Sequence, residues 1–174
     1  MSNCPATVPS YVEPNCFAVD KGRIVAVAFV DEGVTFTDIT DPAEWVDPTY
    51  AADILIHQEV NGAYPPSSPV EVEGKGKQAT RSVGRNHEVT FRVNGIKGND
   101  AYWNALNKST TYKFAFVTGE DYSILHYANV IVDISADSDV QSATDTEIDW
   151  VVTVKWNDVD LVSTHDVPAG IFEP

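Results

Sequence analysis

A chain of 174 residues, 43% hydrophobic and 21% charged, has the size and balance of one folded domain with a sizeable core, not of a disordered segment. Its net charge of −15 repels nucleic-acid phosphates, which excludes a general DNA- or RNA-gripping role but not a surface past which DNA slides. No apolar run approaches the length of a membrane span, and Met1-Ser2-Asn3-Cys4-Pro5 lacks the basic and apolar regions of a signal peptide, so a protein made in the cytoplasm is expected.

Residues 1–20 hold Pro5, Pro9 and Pro14 without periodicity and read as an extended arm before a single β-rich domain over 21–174. The arm carries both cysteines, Cys4 and Cys16, with eleven residues between them. No nearby histidine completes a four-ligand zinc site. A local disulfide formed after release into an oxidising environment and two unrelated free thiols both remain open.

Arg23 to Val30 is a β-branched apolar run and predicts a buried strand; Val34 to Thr37 predicts a short second one. Asp41-Pro42-Ala43-Glu44 combines a capping acid, proline at the first helical position and an acid in the first turn, so a short helix starts there. Asp47-Pro48 repeats the signal and predicts a second helix from Thr49 to Gln58, with Tyr50, Ile54 and His57 facing inward. Asn61-Gly62 and the proline-rich stretch to Pro69 mark a long loop. Val70 to Glu73 is a strand. Gly74 to Asn86 is glycine-rich, basic and poor in apolar residues, and is either a long flexible loop or the tip of a protruding hairpin.

His87 to Val93 alternates strictly and is a strand. Asn99 to Asn107 places Tyr102, Trp103 and Leu106 at helical spacing behind Asn99 as a cap. Tyr112 to Val117 is a strand, Gly119-Glu120-Asp121 turns the chain, and Tyr122 to Tyr127 and Asn129 to Ser135 return as strands. Asp137 to Thr144 is an acidic loop. Thr146 to Trp156 alternates Ile148, Trp150, Val152, Val154 and Trp156 on one face and predicts the longest strand. The tail from Asn157 is weakly patterned. Six to eight strands and one to three short helices predict a mainly β fold, an antiparallel β-sandwich or small β-barrel with a helix at its side.

Charge is unevenly spread. Six of the 11 basic residues, Lys75, Lys77, Arg81, Arg85, Arg92 and Lys97, lie in a span whose only acid is Glu88, so that span is about +5 and the rest of the chain about −20. This is either a solvated basic loop or an arm that docks on an acidic face of a neighbouring copy. Asp137, Asp139, Asp145, Glu147 and Asp149 form the candidate acidic face. Hard cations favour carboxylate clusters, but the spacing matches no calcium loop and suits a solvated face better.

No catalytic constellation is present. A Gly-x-Ser-x-Gly elbow and a His-Glu-x-x-His pair are missing, and Gly74 to Thr80 has the wrong glycine spacing for a phosphate loop. His57, His87, His126 and His165 are scattered. Trp45, Trp103, Trp150 and Trp156 suggest a sugar-stacking platform only if exposed; their strand and helix registers make Trp103, Trp150 and Trp156 core residues first. A non-enzymatic protein with no cofactor and no metal is expected.

Glu71-Val72-Glu73-Gly74-Lys75-Gly76, then His87 to Phe91 with Tyr102 to Leu106, then Thr146 to Val154, occur in an order that resembles structural proteins of tailed-phage virions. The resemblance, over residues 20–156, is to tail-tube-like β-barrel subunits of phages infecting Bacteroides relatives. It implies hexameric rings around an acidic passage for DNA, with a long loop (here Gly74 to Asn86) reaching the next ring. The implied place is the virion, and the implied partners are copies of the chain and other virion proteins, with neither specific nucleic-acid binding nor a membrane. The N-terminal arm has no counterpart in the resemblance and equally suits a collar, a head–tail connector or a capsid-decoration or head-fibre protein. A carbohydrate-binding β-sandwich is the remaining alternative.

Overall fold

The computed structural model describes residues 22–47, 49, 52–119, 121–140 and 148–174. The predicted arm, both cysteines, Tyr50, Asp145 and Glu147 lie outside these residues. Among the described residues, ten strands and two short helices follow in the order β1 (Ile24–Asp31), α1 (Pro42–Trp45), β2 (Ile54–His57), β3 (Asn61–Ala63), β4 (Ser68–Val72), β5 (Arg81–Val93), α2 (Asp100–Asn107), β6 (Tyr112–Thr118), β7 (Ile124–Ala128), β8 (Asp133–Asp139), β9 (Asp149–Asp158) and β10 (Ser163–Asp166). Every pairing is antiparallel, as the alternating segments predict.

The sheet runs β10-β7-β6-β1-β3-β5-β9-β8, with β2 also on β1 and β4 also on β5. It curls so that two walls face each other. Val27 and Phe29 of β1 and Phe114 and Phe116 of β6 share one core with Val89 and Phe91 of β5, Val152, Val154 and Trp156 of β9, and Trp103 and Leu106 of α2. Phe29 lies 6.4 Å from Phe91 and Phe114 6.1 Å from Trp156, ring centre to ring centre, across the space between the walls. The curl is drawn together at its rim by one backbone bond, Val132 N–H to the Tyr112 carbonyl at 2.9 Å.

β1 and β6 are buried on both faces, which explains their unbroken apolar runs. Ala28, Val30, Ala115 and Val117 point away from the first core into a second, roofed by Val34, Trp45 and Phe172. The ladder slips one residue between Ile24 and Ala26, and this bulge turns Val25 and Ala26 together into the second layer. α1 forms as its capping residue predicts: Asp41 accepts from the Ala43 N–H at 2.9 Å. Glu44 reaches outward instead and accepts from the N–H groups of Thr37 and Asp38, at 2.7 and 3.0 Å, tying down the loop before the helix.

Several expectations need correction. Ile54 to His57 is a strand, not part of a helix, because its ladder with Val27 to Val30 of β1 outweighs the local helical spacing. Val34 to Thr37 is irregular chain folded over the second core. Asn61 to Ala63, read as loop, bridges β1 and β5. Asn129 to Val132 is irregular, and the strand begins at Asp133 and runs through Asp137 to Asp139, which were read as loop. Among the described residues the longest strand is β5 with 13 residues, against 10 for β9. The weakly patterned tail contains β10 and the fully buried Phe172, whose ring meets Trp45 edge-on at 5.0 Å.

Candidate functional site

The Gly74 to Asn86 segment is divided between a hairpin tip and the start of β5. β4 pairs from Ser68↔Asn86 to Val72↔Arg81, while β9 pairs with β5 only from Arg85 onward. Residues 70–72 and 81–84 therefore form a two-stranded ribbon running past the end of β9. Its turn needs glycine: a Cβ on Gly74 would sit 2.2 Å from the Gln78 carbonyl oxygen, and Gly76 has φ +69°. Val72 and Val83 stay 47% and 42% exposed on the ribbon, and Val159 and Leu161, 73% and 70% exposed, follow Asp158, the ladder partner of Arg85 at its root. An isolated two-stranded ribbon is marginal in water, and clustered exposed apolar residues mark a contact surface.

The five basic residues from Lys75 to Arg92 separate into three groups. Lys75, Lys77 and Arg81 are exposed at the tip. Arg85 turns back at the root, its Nε donating to Ser67 Oγ at 2.7 Å and Nη2 to the Ser67 carbonyl at 3.1 Å. Arg92 lies eleven residues from Arg81 along β5, roughly 35 Å away at strand rise. Its guanidinium meets Asp139 at 2.6 Å and Asp149 at 3.8 Å.

Of the acidic set, the described members Asp137, Asp139 and Asp149 occupy that far end. Asp139 stands directly opposite Asp149 in the β8–β9 ladder, a like-charge pairing that Arg92 relieves. Asp149 Oδ1 is buried without a hydrogen-bond partner. Asp137 is exposed on β8. The structure thus brings Arg92, expected among the basic residues, to Asp139 and Asp149, and leaves the tip cations at the opposite end of β5.

A device the sequence reading missed protects β8. Asn107, at the end of α2, accepts from the Ala136 N–H at 2.6 Å and donates to its carbonyl at 2.9 Å. One side-chain amide thereby stands in for a neighbouring strand on an open sheet edge. An asparagine at a helix end gives no hint of a partner 29 residues away.

The histidines belong to the cores and their margins. His57 bonds the Tyr102 hydroxyl at 2.8 Å and stacks on Trp103. His87, 2% exposed, bonds the Tyr64 hydroxyl through Nδ1 at 2.7 Å and stacks on Trp156 at 5.1 Å. His126 stacks on Phe116 and bonds Thr118 Oγ1 at 3.0 Å. Burial pushes all three imidazoles below their ordinary pKa; at His87 the Asp160 backbone and the Asp158 charge oppose the shift. Burial pushes the Tyr102 and Tyr127 hydroxyls up to about 12. His165 sits apart, bonded to Ser163 Oγ at 3.0 Å.

Trp45, Trp103 and Trp156 are only 3%, 2% and 5% exposed, so these rings fill the core and offer no stacking row to a sugar. Among the described residues, no three His, Cys, Asp or Glu side chains gather into a group that would hold a metal ion. No family model, curated protein or solved structure matches this chain.

Proposed function

We propose that this chain is a virion structural subunit, tail-tube-like or of the head–tail connector kind, that assembles with copies of itself into rings around a passage for DNA. The observation that carries this reading is the ribbon. It leaves the body of the sheet with exposed valines on its strands and three cations at its tip, while Asp139 and Asp149 of the neighbouring β8 and β9 gather around Arg92 at the far end of β5, up to roughly 35 Å along the strand from Arg81. The tip cannot meet those acids within one molecule, but it meets them when copies stand head to tail. Two unlike patches joined in this way close into rings or run on as filaments. The overall charge of −15 suits a wall that DNA passes without sticking. Other virion proteins are the natural further partners, and the reading assigns no enzymatic role.

Negative-stain electron microscopy of the purified protein at low salt tests the reading. Rings or short tubes with an open axis are expected. Uniform particles the size of one chain, at concentrations where virion subunits assemble, contradict it and favour a capsid-decoration role.

A further inference from the structure

The chain contains two Asn-Gly pairs, Asn61-Gly62 and Asn94-Gly95, and the fold treats them oppositely. We propose that Asn94 is a site of spontaneous deamidation and that the same fold protects Asn61. In this reaction the Gly95 backbone nitrogen attacks Asn94 Cγ. The N–Cγ bond forms, the Cγ–Nδ2 bond breaks, and Nδ2 leaves as ammonia. Water then opens the succinimide at either carbonyl to give aspartate or isoaspartate, and no oxidant or reductant is needed. Glycine in second place removes the side chain that hinders the attack. The remaining requirement is that the backbone can bend the nitrogen toward the side chain.

Asn61-Gly62 lacks that freedom. Gly62 is held in ladders on both sides, opposite Ile24 of β1 and Phe91 of β5, and Asn61 is opposite Arg92. The fit is so close that a Cβ on Gly62 would fall 2.6 Å from Phe91 Cβ and 2.8 Å from the Thr90 carbonyl oxygen. Asn94 is the first residue beyond the end of β5 and is exposed. Gly95 has already left the extended conformation, with φ +95°, and Asn99 Nδ2 donates to its carbonyl at 2.6 Å.

The product changes the charge at a defined place. Asn94 lines a cavity of about 390 Å³ together with Arg23, Glu59, Arg92 and Asp149. Deamidation adds a carboxylate there, beside the guanidinium that already serves Asp139 and Asp149. The isoaspartate form also adds one backbone carbon to the link between β5 and α2.

Trypsin separates the two pairs, cutting out residues 93–97 and, in another peptide, residues 24–75. The protein is aged at mildly alkaline pH, folded in buffer and unfolded in urea, and both peptides are followed by mass spectrometry. In the folded protein, conversion in the 93–97 peptide is expected to exceed that in the 24–75 peptide roughly tenfold or more, because the strand must open before it reacts. In urea the two rates should agree within roughly twofold, since the local Asn-Gly chemistry is then the same. Asn94→Gln should silence the 93–97 peptide alone. Equal folded rates, faster conversion at Asn61, or no folded conversion at Asn94 while urea converts both, would each overturn the proposal.

Discussion

β1 and the β4–β5 ribbon belong to one sheet, yet they meet opposite surroundings. Seven of the eight side chains of β1 are buried, and they fill two cores at once. Along β4, four of five residues are exposed, and the first three of β5 are exposed as well. Hydrogen bonding alone does not separate the two, because both are laddered. What separates them is apolar burial, worth about 25 cal/mol per Å². β1 therefore carries stability and the ribbon carries little, so the ribbon's sequence is free to serve a contact outside the molecule.

The sharpest way to break that contrast is to hollow the body. Phe29→Ala removes a fully buried ring between the walls and should cost about 3–5 kcal/mol in urea denaturation. Next in size, Asn107→Ala strips both partners from the Ala136 backbone at the β8 edge. A loss of about 1–3 kcal/mol is expected, with faster hydrogen exchange confined to β8.

The buried histidines give the body a pH dependence. His57, His87 and His126 have folded pKa values below the ordinary 6.5, so the unfolded chain takes up protons first as pH falls. Their contribution is complete above about pH 6.5 and declines below it, down through the lowered folded values. His87→Phe should flatten this decline by at most about 1.4 kcal/mol per pH unit, read from urea midpoints across the acidic range. Smallest in the body, Arg92→Ala should cost under about 1 kcal/mol, because the guanidinium is 42% exposed and its pairs are screened by solvent.

The sequence made β1 and β6 legible as unbroken apolar runs, and α2 and the inner half of β5 legible because each repeats its apolar residues at the period of its own structure. It misled at Ile54 to His57, where four residues after an Asp-Pro signal fit a helical spacing and only the distant β1 decides otherwise. Phe172 was hidden for a related reason: a lone aromatic in a patternless tail plugs a core built from segments far earlier in the chain. At the candidate site, the hairpin tip was visible as one of two readings because glycine and lysine crowd together there. The division of the basic residues was not visible. Arg92 sits in the same run as Lys75 but is carried away by β5 and clasped by Asp139, 47 residues on.

In the proposed assembly the ribbon tip joins copies of the chain without supporting the fold. The most direct measurement is mass by light scattering, at low and high salt, of the unmodified protein and of a Lys75→Glu, Lys77→Glu, Arg81→Glu variant. Such an assembly predicts a ring-sized oligomer at low salt that dissociates as salt screens the tip. It predicts a variant that stays monomeric at both salts while its urea midpoint moves by less than about 0.5 kcal/mol in stability. A monomer at every salt concentration, or a variant that assembles as the unmodified protein does, would contradict it.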